Sequence, residues 1–114
     1  MATRFVLPVF DFTASDGSKW AGSILPANNS GSMIICFDGT FSDGGGFVGP
    51  RFSIEHGEVT STTTYDFDAA DKVLSELKKF ARDLGKKCRF SGTKFTMADE
   101  LAGVVQICEI VLPN

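Results

Sequence analysis

Between Ala70 and Leu84 the residues Ala70, Val73, Leu74, Leu77, Phe80, Ala81 and Leu84 recur at steps of three and four. That spacing marks one face of a helix with 3.6 residues per turn, and it predicts an amphipathic helix over residues 68–85. Asp66 or Asp68 is placed to cap its first turn, and Gly85 stands where a left-handed residue would end it.

Elsewhere the pattern is that of strands, with aromatic and β-branched runs separated by Gly, Asn and Asp clusters. Residues 4–13 form the first run. It contains Pro8, which has no N–H for a ladder and so predicts an edge position. Ser15-Asp16-Gly17-Ser18 is a tight-turn signal that returns the chain through residues 19–25, and residues 26–31 read as a polar loop. Met33 to Phe37 is continuously apolar, as expected of a central strand covered on both faces. A fourth run, residues 47–55, should bend near Gly49-Pro50 with Phe52 and Ile54 on one face. His56-Gly57 turns it into residues 58–65.

After the helix, residues 87–95 read as a strand interrupted at Ser91-Gly92. Thr96 with Asp99 three places on marks a short helical turn. Val104 to Leu112 is apolar on both faces apart from Gln106 and Glu109, which predicts a central strand or one covered by another subunit. The expected fold is α+β: an antiparallel sheet of about six or seven strands packed on one main helix, with two strands after the helix. At 114 residues the chain is expected to form a single domain, residues 1–114.

Composition narrows the function classes. A hydrophobic share of 43% with 22% charged residues lies far from the composition of disordered chains. No apolar run approaches the ~18 residues of a membrane span, and the apolar stretch before Asp11 is too short for a secretory signal. A cytoplasmic protein is expected. Cys36, Cys88 and Cys108 are odd in number, lack a C-x-x-C pair and fall in apolar or strand-like stretches, so all three are expected to be buried thiols, with Cys36 and Cys108 reduced and unreactive. With His56 the only imidazole, neither a metal site nor a cofactor is expected. The net charge of −3 is uneven: residues 1–71 carry nine acidic against three basic side chains, and residues 72–114 eight basic against five acidic. Such a dipolar chain steers charged partners.

The segment Ile34-Ile35-Cys36-Phe37-Asp38-Gly39-Thr40 resembles the first motif of the haloacid-dehalogenase-type phosphatases, an apolar strand ending in Asp-x-Asp-Gly-Thr. Cys36 stands where that family has its nucleophilic Asp, so the resemblance implies no phosphatase here. Gly44-Gly45-Gly46 lacks the Lys-Ser/Thr of a phosphate loop, and Asp43 replaces the turn glycine of a calcium loop. No Gly-x-Ser-x-Gly elbow is present and no spacing singles out a carboxylate pair. Residues 38–46 are expected to connect two strands flexibly, with Asp38, Thr40, Phe41 and Asp43 as a candidate binding loop.

Lys72, Lys78, Lys79, Arg82, Lys86, Lys87 and Arg89 gather seven of the eleven basic residues, with Phe90, Lys94 and Phe95 just beyond. A basic helix face followed by a strand mixing cations and aromatics is what phosphate contact with base stacking requires. Lys78, Lys79, Arg82, Lys86, Lys87 and Arg89 are therefore the candidate surface for nucleic acid or an acidic partner. Interleaved Glu76 and Asp83 and the net negative charge point instead to a solvated face.

The leading expectation is a non-catalytic protein-binding protein without a membrane partner. It would be a subunit of an assembly, self-association included, or an inhibitor of a larger partner, and a viral or mobile-element origin would suit it. A nucleic-acid-binding module is the second expectation, and an enzyme with a site near residues 38–46 the third.

Overall fold

Burial alternates along the strands in step with their pleat, so that Trp20, Gly22 and Ile24, Met33, Ile35 and Phe37, and Phe52 and Ile54 line one face. A computed structural model describes residues 3–27, 31–41, 43–65, 72–92 and 94–113. It contains β1 (Thr3–Thr13), β2 (Lys19–Pro26), β3 (Ser32–Thr40), β4 (Gly46–Glu55), β5 (Glu58–Thr63), the helix α1 (Leu74–Lys87), β6 (Cys88–Ser91), β7 (Lys94–Met97), a 3-10 turn (Asp99–Leu101) and β8 (Val105–Leu112). Six strands form a sheet in the order β5-β4-β3-β2-β1-β8, and β6 and β7 form a separate hairpin. All these strand pairs are antiparallel. The fold is α+β.

Helix α1 lies against β3, β4 and β5, while the β6–β7 hairpin continues the same layer over β3 and β1. Leu77, Ala81 and Leu84 turn the helix stripe into the core. Phe80 reaches across to β1, its ring centroid 4.6 Å from that of Phe12 and 5.2 Å from that of Phe10. The rings of Phe10, Phe37 and Phe52 then meet edge to face across β1, β3 and β4. Phe10 lies flat on its cross-strand neighbour Gly22, where a Cβ would come within 2.0 Å of the ring. Only glycine fits there.

The turns follow their local chemistry. Between β1 and β2 the Asp16 carboxylate accepts hydrogen bonds from Ser18 N at 2.9 Å and Ser18 Oγ at 2.5 Å, and Gly17 takes a φ of 85°. These bonds hold the Asp16 carboxyl below its ordinary pKa. Glu76 of α1 accepts from both Ser15 N and Ser15 Oγ, which ties this turn to the helix. The β4–β5 hairpin turns through His56 and Gly57, both at positive φ, the backbone of a two-residue hairpin turn that matches strand twist.

Several expectations are corrected. The helix begins at Leu74 with no side-chain cap, and the proposed caps Asp66 and Asp68, with Ala70, fall outside the described residues. Gly85 does not end the helix. It is buried inside the last turn, where a Cβ would lie 2.5 Å from Ile54 Cγ2, and the chain passes directly from Lys87 into β6. Residues 88–97 form a hairpin around Gly92 rather than one interrupted strand, so three strands follow the helix. The short turn starts after Ala98, without the Thr96 cap.

Strand β1 is not at the edge. Residues 3–10 pair with β8 and residues 9–13 with β2, so Pro8 sits where the β2 partner is missing and its absent N–H is not needed. Pro50 uses a second such gap. Gly49 and Pro50 together face Phe37 in a bulge, and pairing with β5 begins only at Arg51. Strand β8, expected to be central or covered by another subunit, is not central but an edge of the six-stranded sheet.

Candidate interaction surface

Helix α1 packs on β3, β4 and β5 and the hairpin strand β7 on β1, while most of β8 lies beyond this layer. Val105, at its start opposite Phe10, is buried. Beyond it, Ile107 is 48% exposed, Ile110 38% and Val111 51%, and Val6 on the adjoining half of β1 is 46% exposed. Register places Ile107 and Val111 on the helix side of the sheet, while Cys108 and Ile110 face the other way. The strand therefore presents apolar side chains on both faces and, among the described residues, a backbone edge that no other strand pairs with.

Cys108 was expected in the core and is exposed. The apolar residues around it misled, because their burial depends on a neighbouring strand or layer that this edge lacks. Cys36 and Cys88 are buried as free thiols. Burial pushes the Cys88 thiol up to about 11. For Cys36 burial also raises the pKa, against the opposing pull of Arg51 and a hydrogen bond with Ser23.

The opposite edge contrasts with β8. Strand β5 has six residues, Glu58 to Thr63, and except for the half-buried Val59 they are exposed polar side chains. Short, polar edges resist pairing with other chains, whereas a long apolar edge invites it.

The candidate loop is closed on itself. Phe41 N donates to Gly45 O at 2.6 Å, Gly44 N to Phe41 O at 2.9 Å, and Gly45 N to Asp43 Oδ1 at 2.9 Å. The Phe41 ring packs on Phe47, with centroids 4.6 Å apart. Asp38 and Thr40 belong to β3 rather than to the loop. Asp38 is engaged as well: Arg51 Nη2 donates to Asp38 Oδ1 at 3.1 Å while Arg51 Nη1 donates to Phe37 O at 2.8 Å across the bulge. Arg51, which the sequence reading passed over, thus holds the bulge. The Gly-Pro step opposite an apolar strand was the available signal.

Lys78, Lys79, Arg82, Lys86, Lys87 and Arg89 are all exposed, the first five on α1 and Arg89 on β6. Lys87 pairs with Glu100 at 3.1 Å. The aromatic part of this surface is largely committed to the core, since Phe90 is buried and the half-buried Phe95 packs on it with centroids 5.1 Å apart. His56 with Lys86 and Arg89 lines a shallow pocket of about 230 Å³. Among the described residues no group of three or more His, Cys, Asp or Glu is arranged to hold a metal ion, and no helix is long and apolar enough to cross a membrane. The chain matches no family model, no curated protein and no solved structure in the comparisons made with each.

Proposed function

We propose that this chain is a non-catalytic protein-binding protein, a subunit of an assembly or an inhibitor of a larger partner, and that β8 with the first half of β1 is its docking edge. The observation that carries this reading is the two-faced exposure of Val6, Ile107, Ile110 and Val111 around an edge strand. An open ladder gives main-chain hydrogen bonds to an added strand, and alternate apolar side chains give it contact area on both faces. Strand β8 itself contains no lysine, proline or bulge, the features that protect edges in chains that stay alone.

The test is parallel affinity capture from the native host with the wild type and an Ile110→Lys, Val111→Lys double variant, with captured proteins identified by mass spectrometry. Both substitutions fall on exposed side chains, so the melting temperature should hold. Partners held by the wild type and lost by the variant support the reading. Identical capture by both chains counts against the edge.

A nucleic-acid-binding surface on Lys78, Lys79, Arg82, Lys86, Lys87 and Arg89 is the second reading, favoured by their common exposure. The packed Phe90 and Phe95 pair and the net charge of −3 weigh against it.

A further inference from the structure

We infer that the shallow pocket between the β4–β5 turn, the last turn of α1 and the start of β6 binds a phosphate group, free or carried as a monoester by a small molecule. It lies at the end of the sheet away from β8, so the inference is independent of the docking edge. Three nitrogen-bearing side chains from three elements line it: His56 from the turn, Lys86 from α1 and Arg89 from β6. Gly31, Gly57 and Gly85 complete the wall, so much of it is bare backbone. The volume of about 230 Å³ is below the roughly 300–1,000 Å³ of pockets for drug-sized ligands and suits a small ionic group.

The positive charge there is not offset by the protein. Among the described residues neither Lys86 nor Arg89 forms an ion pair, whereas the adjacent Lys87 is held by Glu100. Asp83, one turn back on α1, makes no ion pair with Lys86. Glu55 and Glu58, which flank the turn, pair across the hairpin on the sheet face opposite Ile54 and Val59, and it is Ile54 that packs on α1. The acids next to His56 therefore point away from the helix side. The turn also rests on the stem of Lys86, since a Cβ on Gly57 would come 3.2 Å from Lys86 Cγ. Lysines in the last turn of α1 do offset the negative end of the helix, but that role calls for no group from the turn or from β6.

The chemistry of the three groups selects the ligand. A guanidinium presents paired N–H donors that match two phosphate oxygens, the ammonium adds a point charge, and the imidazole adds a donor. Two permanent cations favour a dianion over a carboxylate. Lys78, Lys79 and Arg82 do not line the pocket, so it suits a single phosphate rather than a nucleic-acid backbone.

His56 is the only histidine, so its Cε1–H resonance reports on the pocket in a proton NMR titration. At constant pH and ionic strength, inorganic phosphate and methyl phosphate should each move it saturably, with a dissociation constant of about a millimolar, and the tighter of the two identifies the source. Acetate and chloride should leave it nearly in place. Lys86→Gln and Arg89→Gln, both at exposed positions and with unchanged melting temperature, should each raise the dissociation constant by about fivefold to tenfold. Lys87→Gln, outside the pocket, should raise it by less than about twofold. A response to phosphate that never saturates or that chloride reproduces overturns the site, as does acetate binding as tightly as phosphate. An equal loss in Lys87→Gln overturns it too, because the effect would then be general charge screening.

Discussion

Gly85 occupies a helical position where alanine would ordinarily stabilise by about 1 kcal/mol. Here the added methyl would meet Ile54 Cγ2 at 2.5 Å, so Gly85→Ala is expected to destabilise by about 1–3 kcal/mol in chemical denaturation. A stabilised variant would show that Ile54 can move aside. In the sequence a glycine after the last apolar residue of a helical stripe looks the same whether it ends the helix or admits a neighbour; only the sheet decides. The cysteines teach the same point. Native protein treated with iodoacetamide should label rapidly at Cys108 and slowly at Cys36 and Cys88. The thiol of Cys88, raised from 9.0 to about 11, stays protonated in the folded chain while the unfolded chain releases its proton. Its contribution to stability is thus complete below pH 9.0 and is lost as the pH rises towards 11, and a Cys88→Ala chain should show a shallower fall in melting temperature over that window. Equal alkaline slopes in the two chains would contradict the burial argument.

Among the elements, the helix stripe was legible because it is a local pattern, and its central residue carries a local test. Leu77 is fully buried, and Leu77→Ala should cost about 2–5 kcal/mol through lost transfer energy and the cavity left behind. A change below about 0.5 kcal/mol would place the stripe in solvent. The turns at Asp16-Gly17 and His56-Gly57, and the bend at Gly49-Pro50, were legible for the same reason. The bulge adds what the pattern did not contain. Arg51→Ala removes the donor to Phe37 O and should destabilise by about 1–3 kcal/mol, whereas Asp38→Asn, which touches only an exposed ion pair, should cost less than about 1 kcal/mol. Equal losses would assign the stabilisation to the ion pair. What stayed illegible was strand order. Pro8 pointed to an edge strand, whereas β1 lies between β2 and β8 and lacks the β2 partner only along its first half, and the apolar character of β8 did not distinguish a central strand from an uncovered edge.

At the scale of the whole molecule, the basic helix face and the apolar edge lie on different elements and make different demands on solution conditions. Fluorescence anisotropy with labelled single- and double-stranded oligonucleotides should show at most weak binding at low salt that disappears at physiological salt, because few cations act together without stacking. Tight binding that survives salt and is lost in a Lys79→Glu, Arg82→Glu double variant of unchanged melting temperature would move the function to the helix. Register has a further consequence, for the order of events during synthesis. Thr3 pairs with Leu112, so β1 finds its β8 neighbour only after the strands β2 to β7 that lie between them have emerged. Until then the leading half of β1 is an exposed template on the nascent chain, and chain connectivity delays its closure, since the ends of a long loop must meet. Chaperones that hold extended apolar segments would have their longest opportunity there.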